Sequence, residues 1–445
     1  MQYKGPDLTL DTLLLLLTYP DFYLALGLVL ANLSLLLFLR PLLVPGFNYP
    51  TIPLFFLLAY FCLMVVPSIF HFAYFSNANI DDEWVLYEFL MGVQGFPLLF
   101  LSGVLVANKF FKKPNEIIQN FYNRPLSRLE INLALSKLAF WIGLFIGLAF
   151  FVFMILENQN LPILVALGLT NTPATEEVRF LIYKYSDLTI FTYALITRAV
   201  IPITIIVPLF LWKVAGLKTW KMIFFFSLVF GTFFSLISLE KQAILSTFVI
   251  LIVALIFLNK GKLSFAHLLL FIILVTMGGF TAITQYGGDL SISNVLYRGY
   301  YFLAMRVFLD PSYMTFAIYE MVSDSNQLLL GSTIRFITLF GLPYERLTAI
   351  GFLADLWVNF GWAGIIWGGF LMGLVMQFIQ LLFFRERDFI NLTVLISLML
   401  NAAWLIYSNI FPAMVVATYV FGLTILLSAE AVRRVGKSRS LEVKT

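Results

Sequence analysis

The chain has few of the side chains with which soluble enzymes carry out their chemistry. Charged residues make up only 12% of its 445 residues, against about 25% in an average soluble protein. It contains two histidines and a single cysteine. Because Cys62 has no second cysteine with which to pair, an internal disulfide is excluded. The scarcity of charge is typical of a chain that lies mostly outside water.

Apolar residues make up 61% of the chain and aromatic residues 17%. They fall into runs of about 20, the length that crosses a bilayer as an α-helix. We therefore predict an all-α polytopic membrane protein, a single integral membrane domain over residues 1–445 with no separate soluble domain. About eleven spans are predicted near residues 21–40, 51–75, 84–108, 134–156, 189–212, 222–239, 242–258, 263–284, 357–384, 389–409 and 411–429.

The distribution of basic residues predicts the orientation of these spans. With the C-terminus in the cytoplasm, the cytoplasmic loops and the tail hold 18 of the 28 Lys and Arg residues but only 6 of the 24 acids. Such an excess of positive charge marks the cytoplasmic side. Residues 430–445 are then a basic cytoplasmic tail, and residues 285–356 form a large extracytoplasmic loop between the eighth and ninth spans. A loop of that length between membrane helices is usually functional when it is not disordered.

The usual signatures of hydrolytic, metal-dependent and nucleotide-dependent catalysis are missing from the sequence. His71 and His267 are predicted at opposite membrane faces, so they make no metal-binding pair. No Gly-rich phosphate loop follows a strand, and no Asp-rich metal motif is present. We therefore expect no metal and no cofactor, and a reaction that uses cations and one carboxylate.

Cations stand on the predicted outer side and in the outer half of the membrane, where basic residues are normally avoided. Arg198 lies roughly ten residues inside an apolar span, where an arginine costs about 2.5–3.5 kcal/mol. It forms either a salt bridge between helices or part of an anion site. Lys241 is either an ordinary turn residue in "SLEKQAIL" or a functional cation. The long loop adds Arg298, Arg306, Arg335 and Arg346, which are either solvated surface residues or anion ligands.

The anion that best fits these arginines is a lipid pyrophosphate. The planar fork of an arginine holds phosphate oxygens in two places at once. A lipid-linked pyrophosphate would keep its tail in the bilayer and its head in the loop. Aromatic side chains beside the arginines are of the kind that stack on sugar rings, although aromatic residues also form ordinary membrane-interface belts. These candidates for sugar stacking are Tyr297, Tyr300, Tyr301 and Tyr344.

An acid and an amide precede one Gly-rich span, in "ADLWVNFGWAGIIWGGFLMG". Asp355 and Asn359 are four residues apart and therefore lie on one face of a helix. Asp355 is either a helix cap or first-turn acid, worth about 0.3–1 kcal/mol through the helix dipole, or the carboxylate that activates or orients an acceptor hydroxyl. Both readings are open from the sequence.

This stretch resembles the segment of the Wzy-type O-antigen (oligosaccharide repeat-unit) polymerases in which an acid, an aromatic residue and Asn-Phe-Gly precede a Gly-rich span. "SLEKQAIL" is similar to the outer turn in which those proteins carry a Ser-x-x-Arg-like element, with Lys241 in place of the arginine. The arginine-bearing loop before the last three spans matches the position of the family's periplasmic loop. The resemblance covers mainly residues 230–375 and the overall topology.

The resemblance implies a membrane glycosyltransferase (GT-C-like) architecture, shared with O-antigen ligases, in the bacterial inner membrane. It implies transfer of a growing glycan from undecaprenyl pyrophosphate to an incoming lipid-linked repeat unit, in polysaccharide (O-antigen, exopolysaccharide or capsule) biosynthesis. Arg298, Arg306 and Arg335 would contact pyrophosphate and acidic sugars, and Arg198 would be a deeper phosphate ligand. Expected partners are the lipid-linked oligosaccharide, the bilayer, and a chain-length regulator and flippase, but no nucleic acid.

Three other functions fit parts of the pattern. An O-antigen ligase would use the same donor, but a histidine is expected in its large outer loop and none occurs at 285–356. A flippase or other transporter would carry charge deep in several spans, whereas only Arg198 clearly does so here. A peptidoglycan-type (SEDS-like) glycosyltransferase would also place an acid in a large outer loop.

Overall fold

The protein is built from helices. The computed structural model describes residues 18, 20–43, 51–70, 83–123, 133–157, 192–193, 196–237, 241–259, 270, 272–273, 276, 291–301, 311–312, 315–316, 318–319, 351–385, 389–404 and 406, and no strand occurs among them. The all-α prediction is confirmed for this part of the chain. The α-helices are α1 (Pro20–Leu43), α2 (Ile52–Tyr60), α3 (Glu83–Lys109), α4 (Pro114–Asn123), α5 (Leu133–Glu157), α6 (Ile201–Lys213), α7 (Trp220–Leu236), α8 (Lys241–Leu258), α9 (Ile292–Tyr301), α10 (Phe352–Arg385) and α11 (Phe389–Trp404).

Within the described residues, four helical segments are long and apolar enough to cross a membrane: Ile52–Phe70, Trp84–Lys109, Ser136–Leu156 and Phe352–Arg385. Large apolar side chains also remain uncovered on α5, including Trp141, Phe145 and Leu156. A water-soluble monomer avoids so large an apolar surface, whereas a bilayer covers it with lipid. These features are those of a helical membrane protein. The count of eleven spans and the topology of the 285–356 loop stay predictions.

The observed helices agree closely with several of the predicted spans. The spans expected near 84–108 and 134–156 correspond to α3 and α5, and those near 222–239 and 242–258 correspond to α7 and α8. The span predicted near 51–75 begins as α2 and continues through a π-helical turn, Phe61–Val65, and a 3-10 turn, Pro67–Phe70. The span predicted at 411–429 and the tail at 430–445 lie outside the described residues.

Helices α3 and α10 pack against each other with their backbones in close contact. A Cβ atom added to Gly103 would overlap the carbonyl group of Phe370, and one added to Gly373 would overlap the carbonyl group of Phe100. Between apolar helices in lipid there is little hydrophobic driving force, so small residues that allow close van der Waals packing favour association. Glycines on both helices therefore allow α3 and α10 to cross in close contact at the centre of the fold.

Helix α10 is broken at Gly361. This residue has φ 57° and ψ −142°, a conformation that side-chain-bearing residues rarely adopt. A short helical segment, residues 352–360, therefore precedes a long one, residues 362–385. The two segments fold toward each other, because a Cβ at Gly364 would meet the Leu356 carbonyl and one at Gly368 would meet the Leu356 side chain. The span at 357–384 was predicted as one unbroken helix. Its first four residues belong instead to the short segment.

A buried polar network joins α1, α3 and the π and 3-10 turns that follow α2. The Asn32 amide donates to the Gln94 side-chain oxygen at 2.7 Å, and the Gln94 amide donates to Ser68 Oγ at 3.0 Å. Ser68 in turn donates to the Val65 carbonyl at 2.7 Å. That carbonyl is accessible to side chains because the backbone N–H of Ile69 bonds to Val66 O instead. The π and 3-10 turns thus expose backbone acceptors that polar side chains satisfy, as an apolar environment requires.

Polar side chains near the C-terminal end of α10 hold two further elements in place. Gln380 Oε1 accepts a hydrogen bond of 2.7 Å from the backbone N–H of Ile52, the first residue of α2. The Gln377 amide donates to Asn108 Oδ1 at 2.7 Å, near the end of α3. The N-terminal half of α10, by contrast, meets an aromatic cluster in which Phe352 lies 5.0 Å from Phe96 and 5.9 Å from Tyr60 between ring centroids. Both ends of α10 are therefore anchored to the same neighbours.

Candidate functional site

Asp355 and Asn359 are in direct contact on the short segment of α10. The Asn359 side-chain amide donates to Asp355 Oδ1 at 2.9 Å and to the Asp355 backbone carbonyl at 2.9 Å. Both residues are buried, with 4% and 2% of their surfaces exposed. The sequence expectation that the two share a helix face holds in the structure.

The position of Asp355 in the helix shows which of two structural explanations applies, a helix cap or a first-turn acid. Its own backbone N–H bonds to the carbonyl of Gly351 at 3.1 Å, so Asp355 lies inside the helix and is not its N-cap. It stands in the first turn, where the helix dipole favours an acid. The capping explanation is therefore wrong, and the first-turn explanation remains beside the functional one.

This carboxylate lies in a buried stretch of the short segment. Every residue from 351 to 359 is buried. Phe352 lies in the aromatic cluster of α2 and α3, and Leu356 packs on the glycine side of the long segment of α10. A carboxylate buried in this way is costly unless it is paired or hydrogen-bonded. The Asn359 amide supplies one such hydrogen bond. The break in the helix at Gly361 lies two residues after Asn359.

Of the predicted cationic ligands, only Arg298 has a described side chain. It is half-buried near the end of α9, and no hydrogen bond or ion pair between described residues joins it to Asp355 or Asn359. Arg198 lies in the π-helical turn Ile196–Val200 and Lys241 is the first residue of α8, but their side chains fall outside the described part. Arg306, Arg335 and Arg346 also lie outside the described residues.

The tyrosines predicted to stack on sugars lie on α9 or outside the described residues. Tyr297 is 66% exposed, and on the same helix Ile292 and Leu296 are exposed as well. Tyr300 and Tyr301 complete α9, although their side chains are not described, and Tyr344 lies outside the described residues. An exposed row of apolar side chains on a short helix is typical of a helix that lies on a membrane surface.

Arg198 occupies a backbone feature that the sequence did not indicate. The π-helical turn Ile196–Val200 runs directly into α6 and contacts α5, α8 and α11. Close to the turn, Tyr193 stacks on Phe234 of α7 with 5.8 Å between ring centroids, and Thr197 donates to the Tyr193 carbonyl at 2.9 Å. Single π-helical turns frequently mark functional sites.

Sequence reasoning missed Tyr319, which packs directly against the Asp355 segment. Its ring stacks on Trp357 with 4.3 Å between centroids and an interplanar angle of 11°. Burial raises the pKa of the Tyr319 phenol well above its usual value, and the nearby Glu88 carboxylate raises it further. Ser312, Thr315, Phe316 and Tyr319 are all buried at helical spacing. The three-residue spacing of Phe316 and Tyr319 in "PSYMTFAIY" was the available signal that part of the long loop belongs to the core.

Within the described residues, no group of three or more His, Cys, Asp or Glu side chains is arranged to hold a metal ion. His71 and His267 both lie outside those residues.

Comparisons with known proteins give no match. No protein-family model, no curated protein and no solved structure is significantly similar to this chain.

Proposed function

We propose that this membrane protein is a metal-independent glycosyltransferase of the oligosaccharide repeat-unit polymerase kind, acting at the outer face of a bacterial inner membrane. Its donor is a growing glycan on undecaprenyl pyrophosphate, and its acceptor is an incoming lipid-linked repeat unit. The short motifs around Asp355 and Lys241 and the arginine-bearing 285–356 segment support this proposal. A chain-length regulator and a flippase are its expected partners.

The single observation that supports the proposal most is the buried Asp355–Asn359 pair beside the break at Gly361. The pair lies at the end of a candidate membrane-spanning helix. A plain membrane anchor gains nothing from a carboxylate that is 4% exposed, because its burial is unfavourable. Intramembrane ionisable groups usually serve a substrate, ion or proton path, and a carboxylate is the common base in glycosyl transfer.

The proposed reaction needs a base and a site for the leaving pyrophosphate. Asp355 takes the proton of the acceptor sugar hydroxyl, whose oxygen then forms the new bond to the anomeric carbon of the donor. The bond from that carbon to the pyrophosphate oxygen breaks, and the pyrophosphate leaves with the electron pair. Asn359 orients the Asp355 carboxylate through the observed hydrogen bond. Arg298, Arg306 and Arg335 stabilise the leaving charge, with Arg198 deeper and Lys241 and Arg346 beside them.

The test is to give the purified protein its lipid-linked repeat unit and to separate the products on a gel. A ladder with the regular spacing of one repeat unit is expected. A single addition to a different acceptor would indicate the ligase-like alternative. If no glycosidic bond forms, although a purified flippase moves the same substrate preparation, the protein would be a transporter instead.

A further inference from the structure

The turn between α6 and α7 brings three lysines together without an acid. Lys213 ends α6, Lys221 is the second residue of α7, and Lys218 lies in the turn between them. The chain reverses at Gly216, whose φ of 71° is in the left-handed region that favours glycine. All three lysines are exposed, and no ion pair between described residues involves them. Residues 188–239 contain no Asp or Glu at all, so the nearby chain supplies no negative charge.

Trp212 holds two of these charges close together. Lys213 Nζ lies 4.0 Å from the centroid of the Trp212 ring, and Lys221 Nζ lies 5.7 Å from the same centroid, both close enough for attraction between a cation and an aromatic face. The ring is fixed in turn against Phe224 of α7, with 6.0 Å between ring centroids. The two ammonium groups are therefore less than about 10 Å apart, a distance over which salt at 0.1 M screens charges only partly. An anion that reaches both groups relieves their repulsion.

The first turns of α5 add another lysine at the same end of the helices. Phe140 on α5 meets Trp220, the first residue of α7, edge-on with 5.2 Å between ring centroids. Lys137 precedes Phe140 by three residues and therefore lies on the same side of α5. Its side chain is exposed. A fourth positive charge thus borders the turn between α6 and α7.

Exposed apolar side chains begin directly beside these lysines. Met222 and Phe226 on α7 are 74% and 55% exposed, and Phe145 on α5 is 73% exposed. A ligand that complements both features has a negative head and an apolar body, as an anionic phospholipid does. A free phosphate would leave the apolar side chains uncovered. Lysine and tryptophan also occur together at the headgroup depth of membranes, and basic pockets between membrane helices bind anionic headgroups.

We propose that Trp212, Lys213 and Lys221 form a binding site for the phosphate of one anionic phospholipid, with Lys137 and Lys218 at its edge. The acyl chains lie along the exposed faces of α5 and α7. The predicted orientation puts this end of the helices in the cytoplasmic leaflet, across the membrane from the proposed glycan transfer. The lipid site is therefore independent of the glycosyltransferase proposal.

The experiment measures binding of phosphatidylglycerol to the full-length protein in detergent micelles by native mass spectrometry. Phosphatidylcholine with the same acyl chains is the comparison, because its headgroup has no net charge. We expect the protein to retain phosphatidylglycerol in preference. Lys213→Gln combined with Lys221→Gln should weaken binding of the first phosphatidylglycerol about thirtyfold, which is about fivefold for each lysine near an anionic headgroup.

Two double substitutions serve as matched controls. Lys213→Arg combined with Lys221→Arg keeps both charges and their attraction to the Trp212 ring, so it should bind phosphatidylglycerol as the wild type does. Lys112→Gln combined with Lys113→Gln removes the same charge from exposed positions elsewhere, where Glu116 already pairs with Lys113. Its affinity should stay close to that of the wild type. An unchanged size-exclusion profile checks that each variant is folded.

The proposal is overturned if the two lipids bind equally well. It is also overturned if the control at Lys112 and Lys113 loses as much binding as the Gln variant of Lys213 and Lys221, because overall charge would then explain the attraction. Glycerol 3-phosphate carries a phosphate without acyl chains and should compete poorly. Displacement by it as effective as by whole lipid would indicate a soluble anion and contradict the lipid site. Because the readout is lipid binding, a protein that forms no glycan ladder still tests the site.

Discussion

Asn359 places its side-chain amide 2.9 Å from both the carboxylate and the backbone carbonyl of Asp355. Both hydrogen bonds run from the Asn359 side-chain nitrogen to the residue one turn earlier. The arrangement fixes the Asp355 side chain along the helix axis within a segment that is buried on all sides. A polar pair in such surroundings is either a structural tie within the helix or a prepared functional group, and the two roles respond differently to substitution.

Replacing Asn359 by alanine removes a hydrogen-bond donor from a buried carboxylate. We expect the free energy of unfolding to fall by about 1–3 kcal/mol, the usual cost of leaving a buried polar group without its partner. Ser102→Ala is the control, because Ser102 only bonds back to Leu99 O on an exposed face of α3. Its effect should stay within about 0.5 kcal/mol. Denaturant unfolding in micelles measures both, and equal stabilities would show that the Asn359 bond contributes nothing.

Gly103 and Gly95 lie on the same helix but face different surroundings. A Cβ at Gly103 would overlap the backbone of α10, whereas one at Gly95 meets nothing within 4 Å. Gly103→Ala should therefore force the helices apart and destabilise the protein by about 1–3 kcal/mol. Gly95→Ala should be neutral or stabilising by up to about 1 kcal/mol, because alanine favours the helix. Thermal unfolding of the two variants compares them, and similar melting temperatures would rule out the close crossing of α3 and α10.

The break in α10 depends on the backbone of Gly361. At φ 57° and ψ −142°, an alanine there should cost about 1–3 kcal/mol. The strain should also move the short segment and with it Asp355, so polymer formation should fall along with stability. Gly27→Ala is the control, since nothing lies within 4 Å of its added Cβ. A Gly361→Ala protein with wild-type melting temperature and activity would mean that the break serves no purpose.

The orientation predicted from Lys and Arg can be checked with single cysteines in a Cys62→Ala background. Ser293 on α9 is exposed and is predicted outside, and Lys112 between α3 and α4 is exposed and is predicted in the cytoplasm. A membrane-impermeant maleimide should label Ser293→Cys in spheroplasts and should label Lys112→Cys only after lysis. The reverse pattern would place the long loop in the cytoplasm and remove the site for an outer-face reaction.

The lengths of the hydrophobic runs predicted the helices well, because a helix that crosses a bilayer must be long and apolar. The ends of α3 and α5 fall within two residues of the predicted spans. The same reasoning could not find the break at Gly361. "NFGWAG" is as apolar as an unbroken span, and the sharp turn depends on Leu356 packing against Gly364 and Gly368. The π-helical turn that contains Arg198 was not predicted either, because hydrophobic run length does not distinguish a π-helical turn from an α-helix.

The candidate site was predictable only where a local rule applies. Spacing by four residues gave the Asp355–Asn359 contact, since helix geometry alone decides it. Tyr319 and Phe89 are 230 positions apart in the chain, and only the packing of α3 against residues 311–319 brings them together. Roles for Arg306, Arg335 and Arg346 depend on parts of the chain outside the described residues and stay predictions.

The most direct measurement of the central claim is the product ladder made by Asp355→Asn beside the wild type. Asparagine keeps the size of the side chain and removes its ability to accept a proton. We predict a ladder from the wild type and a rate at least about 100-fold lower from Asp355→Asn, with an unchanged size-exclusion profile. Ladders of equal length and rate from the two proteins would contradict the proposal that Asp355 activates the acceptor.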